Sequence, residues 1–407
     1  MRTDVATTWL MTDFAATRRL FDLPEGVIYM DGNSLGPLPR AAVRRLDRAA
    51  REEWGGMLIT AWNRAGWMDM PRRLGDRIAR LIGAPDGSVV VGDTLSIRLW
   101  QALAAALDLN PDRRVILSDS GNFPSDLYMA EGLTRTLGRG HDLRVVAPDE
   151  VESAIDNSVA VVMLTEVDYR TGRLHDMAAL SARAKAAGAL TVWDLAHSAG
   201  AIPVDVTGAG ADFAVGCTYK YLNGGPGAPA FIHVAPRHLP NVTPALAGWL
   251  GHRAPFDFDP DYRPADGIDR MRVGTPPVLQ MAALDAALDV WEGVDMADLR
   301  QRSMELSERF VSAVLAGCPD LALASPEDPT ARGSQVSFRH PQGYAVMQAL
   351  IEAGVVGDFR APDLLRFGIT PLYLSEADID RAADKLTEII GSGSWNDPRF
   401  HRRAAVT

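Results

Sequence analysis

Apolar and polar positions along the chain follow two rhythms. Apolar residues three and four apart, the spacing that lines one face of a helix, recur over 40–54 and over about 69–82, where Leu74, Ile78, Leu81 and Ile82 share one side. Helices are also predicted over 95–109, 127–137 and 176–187. Between them lie short apolar runs that predict strands: 114–118, 143–147, 159–164, 189–193 and 212–216. Strand and helix in alternation predict an α/β sheet, mostly parallel, covered on both faces. A Pro-, Asp- and Gly-rich stretch, 236–277, interrupts the pattern. A loop that long inside a compact protein is usually functional or an interface. Helices over 278–292 and 299–316 follow. Strand 335–339, helix 344–353, strands 355–359 and 365–368 and helix 376–390 then predict a smaller α+β unit. Ser375-Glu-Ala-Asp378 has capping-box form, with Asp in place of Glu or Gln. The expected division is an N-terminal segment, 1–50, packing with the small domain; a large α/β domain, 51–285; and the small domain, 286–407.

Composition narrows the class. A chain of 407 residues holds one large domain plus a smaller one. A net charge of −11 argues against nucleic acid and anionic membrane surfaces, and leaves room for local basic pockets that take small anions. Cys217 and Cys318 give no disulfide framework and no metal-ligand spacing, which fits a reducing cytosol. The first fourteen residues contain no apolar run of signal-peptide length, and no later stretch is long enough to span a bilayer. The expectation is a soluble cytoplasmic protein with no metal, nucleic-acid or membrane partner.

Candidate chemistry concentrates where two apolar runs end. The run 189–193 stops at Asp194, with His197 three residues on; the run 212–216 leads to Tyr219 and Lys220 and then a Gly-Gly-Pro-Gly turn. In a parallel sheet, ligands collect beyond the carboxyl ends of the strands. A poorly solvated lysine becomes nucleophilic and forms a Schiff base with an aldehyde, although a surface lysine at a strand end has the same local sequence. A buried carboxylate needs a cationic partner, and the ring nitrogen of pyridoxal phosphate (PLP) is one. His197 can stack on such a ring or simply cap its turn. Thr94 and Ser96 open the 95–109 helix, whose free first-turn amides bind an anion or carry an ordinary cap. The tryptophans at 54, 62 and 67 lie in a Gly-containing loop, as packing or as a ligand wall.

Several motifs together resemble one family. Asp31-Gly-Asn-Ser-Leu-Gly36, Asn122-Phe-Pro-Ser-Asp126, Trp193-Asp-Leu-Ala-His197, Tyr219-Lys220-Tyr221, Gly248-Trp-Leu-Gly-His252 and Arg272…Thr275-Pro-Pro277 are similar to kynureninase motifs and in the family's order. The resemblance spans about residues 9–390. It implies a fold-type-I, aspartate-aminotransferase-like α/β fold, with a mostly parallel central sheet and a smaller α+β domain, and PLP as cofactor. It implies that Lys220 binds the cofactor covalently and moves protons, and that Asp194 pairs with the ring nitrogen. Leu95, Ser96 and Tyr219 would meet the phosphate, with Tyr219 also a proton donor. Phe123 would stack on the ring, and Pro124, Ser125, Asp126, Thr165 and His197 would complete the cradle. Trp249 and Thr275 would reach the site from a second subunit of a homodimer. Arg366 would clamp the substrate carboxylate, although a buried ion pair between domains is also open to it; Asn33, Ser34 and Trp62 would line the substrate site.

The reaction implied is hydrolysis of L-kynurenine to anthranilate and L-alanine, in tryptophan breakdown through the kynurenine pathway toward NAD, with weaker action on 3-hydroxykynurenine. Ser96 stands where a threonine is common and Arg98 where the family often has Asn, whereas Gly274-Thr275 and Trp62 resemble the bacterial branch. The rival readings are another fold-type-I enzyme, an aminotransferase or a cysteine desulfurase, and a PLP-binding protein without catalysis.

Overall fold

The computed structural model describes residues 11–403. Most of the N-terminal stretch read above for a leader lies outside them.

Seven strands form the central sheet: β1 (Val89–Val91), β2 (Val115–Asp119), β3 (Asp142–Val146), β4 (Val159–Thr165), β5 (Leu190–Asp194), β6 (Phe213–Gly216) and β7 (Phe231–Val234). Their order across the sheet is β1-β7-β6-β5-β4-β2-β3. The strands from β2 to β6 pair in parallel, and β7 runs antiparallel to both β6 and β1.

The pleat explains why the inner runs are apolar nearly throughout, whereas the edge strand β3 carries Asp142 and Arg144 and is partly exposed. Successive side chains point to opposite faces, and on β4 Val161 and Met163 enter one apolar cluster while Val162 and Leu164 enter another. The helix Leu95–Leu109 covers the first face through Leu99, Ala102, Leu103 and Ala106. Helices Met70–Leu81 and Val278–Leu288 supply the other through Leu74, Ile78, Met281 and Leu284. Each buried Val, Leu or Met contributes roughly 1.5–3 kcal/mol, so a sheet covered twice has no solvent face on which a polar residue could alternate.

The smaller sheet has four antiparallel strands: β8 (Ala322–Leu323), β9 (Gln335–Arg339), β10 (Asp358–Arg360) and β11 (Leu364–Gly368), in the order β10-β11-β9-β8. Helices Met296–Gly317, Gly343–Glu352 and Glu376–Ser392 belong with it. The capping box forms as read: the Ser375 side chain accepts from the Asp378 amide and the Asp378 side chain from the Ser375 amide. The short strand Ile28–Tyr29 pairs in parallel with Val355–Val356, which ties the N-terminal segment to this part of the chain.

Four local expectations change. The run 355–359 is not one strand; Gly357 breaks it, and Val355–Val356 and Asp358–Arg360 join different sheets. A Cβ at Gly357 would come within 2.8 Å of the Arg366 carbonyl, so the sharing of the run depends on a glycine there. The helix expected over 127–137 starts at Pro124, a residue suited to a helix's first position because its missing amide hydrogen has no partner there. The Trp-containing loop is mostly helical: a π-helix, Ala49–Met57, continues Arg40–Arg48, and short turns follow. Thr94 occupies the N-cap position, but its side chain makes no capping bond. Among the described residues no helix is long and apolar enough to cross a membrane.

Candidate active site

Register brings the polar residues together. Thr165 ends β4 directly beside Asp194, which ends β5, and Asp194 lies beside Val215 of β6. The chain leaving β6 turns at once and carries Tyr219 and Lys220 over the same edge. At that edge a cavity of about 250 Å³ is lined by Thr94, Leu95, Ser96, Phe123, Ser125, Thr165, Tyr169, Asp194, Ala196, His197, Tyr219 and Lys220. A larger apolar cavity of about 640 Å³ lies near Tyr29, Leu38, Leu46 and Leu279, but no lysine, histidine or cysteine lines it.

The ammonium nitrogen of Lys220 lies 2.9 Å from Nε2 of His197. Burial, then the Lys220 charge, hold His197 well below the ordinary imidazole range, so its ring is neutral and accepts from the ammonium. The rings of Tyr219 and Phe123 lie 5.8 and 5.9 Å from the same nitrogen. Burial raises the Tyr219 phenol, which therefore keeps its proton.

Asp194 is fully buried; one oxygen accepts from the Ala196 amide at 2.8 Å. Burial raises its titration and the Lys220 charge works against that rise. Asp126 lies beside it, equally buried and without a hydrogen-bond donor on either oxygen. Burial first, and the Asp194 charge second, push Asp126 well above the ordinary carboxyl range.

Two buried carboxyl groups thus lie side by side near Lys220, whose charge opposes the rise of each. A cation such as a protonated ring nitrogen would offset the cost of ionising Asp194 there. Beside it, the helix Leu95–Leu109 begins without a side-chain cap, so its first-turn amides and the positive end of its dipole remain open to an anion. The Phe123 ring supplies an apolar wall. A flat, cationic, phosphorylated aldehyde fits this donor set.

The remaining expected site residues lie apart from the cavity lining. Pro124 opens its helix beside Phe123. Asn33 is fully buried and donates its amide to Gln335 at 3.4 Å. Trp62 packs edge-on against Trp67 at 5.8 Å. Trp249 and Thr275 are exposed. Arg366 is buried on β11, where its guanidinium holds Asp358 through Nε at 2.9 Å and through Nη2, and also meets the Ser34 hydroxyl at 3.0 Å and the Tyr169 carbonyl. The pair is buried, but it joins facing residues on neighbouring strands of the small sheet rather than two domains; the Tyr169 carbonyl is what connects Arg366 to the cavity lining.

Tyr169 has no part in the sequence motifs, and Asn122 stands in one of them without a role. Tyr169 lines the cavity and meets the Phe123 ring edge-on at 5.0 Å. Asn122 accepts from the Thr165 hydroxyl and from the Phe123 amide. The available signal was the turn Asp168-Tyr-Arg-Thr-Gly172 immediately beyond a strand's carboxyl end, where Asp168 accepts from the Arg170 and Thr171 amides.

Fold and site define the class: a fold-type-I enzyme dependent on PLP. Solved structures agree on the fold. A cysteine desulfurase from Thermococcus onnurineus NA1 superposes with a TM-score of 0.77 at 19% identity, covering 93% of this chain and 98% of that one. A cysteine desulfurase from Escherichia coli gives 0.77 and 19%, covering 94% and 100%. Sequence comparison is more specific. The model of the kynureninase C-terminal domain matches residues 299–386. A kynureninase of Pseudomonas fluorescens is 51% identical over 400 residues, 97% of this chain and 96% of that protein. One of Burkholderia pseudomallei gives the same identity and coverage. The chain belongs to the kynureninase family.

Proposed function

We propose that this protein hydrolyses L-kynurenine to anthranilate and L-alanine, in the cytoplasm, as a homodimer with shared sites. One observation carries the catalytic reading: Lys220, the buried Asp194 and an uncapped helix N-terminus converge on a single cavity, with Asp126 buried against Asp194. The substrate assignment rests on likeness to the kynureninases.

PLP, when bound, supplies an electron sink for bond breaking at the substrate's α- and β-carbons. The chain's residues do the rest. Leu95 and Ser96 hold the phosphate with first-turn amides and the Ser96 hydroxyl, and Tyr219 adds its phenol. Asp194, with Asp126 against it, would pair with a protonated ring nitrogen. Phe123 would supply the apolar wall, and Pro124, Ser125, Asn122 and Thr165 would complete the cradle. Lys220 anchors the cofactor and moves protons, with neutral His197 accepting at its Nζ. Tyr219, protonated at neutral pH, serves as a donor.

Arg366 is the carboxylate clamp. Asp358 occupies its Nε–Nη2 edge, so a substrate carboxylate takes the Nη1–Nη2 edge in place of the Tyr169 carbonyl and the Ser34 hydroxyl. Asp358 thereby pre-orients the fork and keeps the buried cation paired. Asn33 supports the Ser34 turn, and Trp62 forms part of the outer wall for the substrate ring.

Trp249 is 41% exposed and meets Phe256 edge-on, which in turn meets Phe258; these two are 61% and 78% exposed. Solvent-facing aromatic clusters mark interaction surfaces. Together with exposed Thr275 on the same irregular region, they support a partner site completed from this chain.

The test is purified protein with L-kynurenine, followed by anthranilate fluorescence and alanine release, with Lys220→Ala as control. Keto acid in place of alanine identifies a transaminase and refutes the reading. So does retained cofactor absorbance with no anthranilate formed.

A further inference from the structure

Arg98 has no place in the site described, yet its guanidinium is 1% exposed. It stands in the first turns of the helix Leu95–Leu109 and reaches back past the helix start. Nε donates to the Gly92 carbonyl at 2.8 Å. Nη1 donates to Oε1 of Gln101 at 2.8 Å and to the Met271 carbonyl at 2.6 Å; the Gln101 amide donates to the same Met271 carbonyl at 3.3 Å. Its nearest carboxylate, Asp93, is 3.6 Å away and a third exposed. Burial, opposed by Asp93 and reinforced by Arg272, lowers its titration only to about 10, so the charge persists at neutral pH.

Burying a charge with so little ionic compensation is costly. Two pieces of backbone are fixed in exchange. The first is the turn from Gly92 to Ser96, which aims the first-turn amides into the Lys220 cavity. That turn is tight: Asp93 has a φ of 52°, in the left-handed region that glycine, asparagine and aspartate enter most readily. A Cβ on Gly92 would come 2.6 Å from Nη2 of Arg98, so glycine and arginine pack as a unit. The second piece begins at Met271 and leads through Arg272 to Thr275.

We propose that Arg98 is a positioning residue for phosphate binding, one buried cation that sets both the 92–96 turn in its own site and the 271–275 segment offered to the partner's. The second half rests on the shared-site reading above; the first does not. Gln101 acts with it by sharing the Met271 carbonyl.

The test compares PLP with pyridoxal, which lacks the phosphate, in titrations of the full-length protein freed of cofactor. Two variants are used, Arg98→Met and Gly92→Ala; the latter keeps the charge, displaces the guanidinium and, at a φ of 159°, also strains the turn that Arg98 holds, and it decides the matter where Arg98→Met fails to fold. The expected result is PLP affinity weakened about tenfold or more, the scale of one charge-assisted hydrogen bond, with pyridoxal affinity unchanged. Unchanged PLP affinity in Gly92→Ala, or equal loss for both ligands, overturns the proposal. Thr275→Ala separates the two readings: if it leaves PLP affinity intact, the shared site fails while the role of Arg98 in its own site stands.

Discussion

Glu166 follows Thr165 at the end of β4, and its amide donates to the Asp194 carbonyl at 3.0 Å. Its carboxyl is buried, and Oε2 has no hydrogen-bond partner. Burial raises its titration from the ordinary 4.5 to about 7, with the Ser198 hydroxyl opposing. Below the lower value the group is protonated in both folded and unfolded chains and costs nothing. As pH rises from there to about 7, the unfolded chain ionises and the folded one does not, so stability falls across that window. Once both states are ionised, the loss reaches about 3 kcal/mol. Glu166→Gln removes the titration and keeps the shape. The variant should therefore gain on the parent, and its advantage should be about 2 kcal/mol larger near pH 8 than near pH 5.5. Urea unfolding midpoints at both pH values, at fixed protein and cofactor concentration, measure it. An advantage that does not grow with pH refutes the account, because it would mean that the buried carboxyl is already ionised at the lower pH.

Arg366→Lys should lower kcat/KM by about a hundredfold, mainly through KM, because a lysine cannot hold Asp358 and a substrate carboxylate with one planar fork. Steady-state kinetics at saturating PLP reads it, and an unchanged KM removes Arg366 from the clamp role. Mixing Lys220→Ala with Trp249→Ala should restore about a quarter of parental activity, since each hybrid dimer has one site with both residues intact; no recovery refutes shared sites. Ser375→Ala should lower stability by about 1 kcal/mol through loss of the helix cap and leave kcat unchanged, as thermal unfolding and a standard assay would show.

Much of this molecule is written in local pattern. Continuous apolar runs announced strands buried on both faces, and the strand-helix alternation announced their parallel pairing. Asp194 and Lys220 stood out because each follows such a run, and parallel pairing makes successive strand ends coincide. The helix 95–109 and the strand 335–339 were legible to the residue, since their periodicity and flanking residues agree. The division of 355–359 between two sheets was not legible, because Val355–Val356 pair with Ile28–Tyr29, 327 residues away, and the run itself reads as one strand.

What tertiary structure alone decided concerns buried charge. In sequence, Arg98, Asp126, Glu166 and Asp358 are ordinary charged residues, and nothing near them tells how much water they keep. Only the packed chain sets Asp126 against Asp194, gives Arg366 to Asp358 and Arg98 to the Met271 carbonyl. Solvent exclusion is a property of the whole fold, and it is what turns these side chains from solvated charges into groups that hold, orient and tune a site. Hydrophobic period is local and survives in the sequence; electrostatic environment depends on every element packed around it and does not.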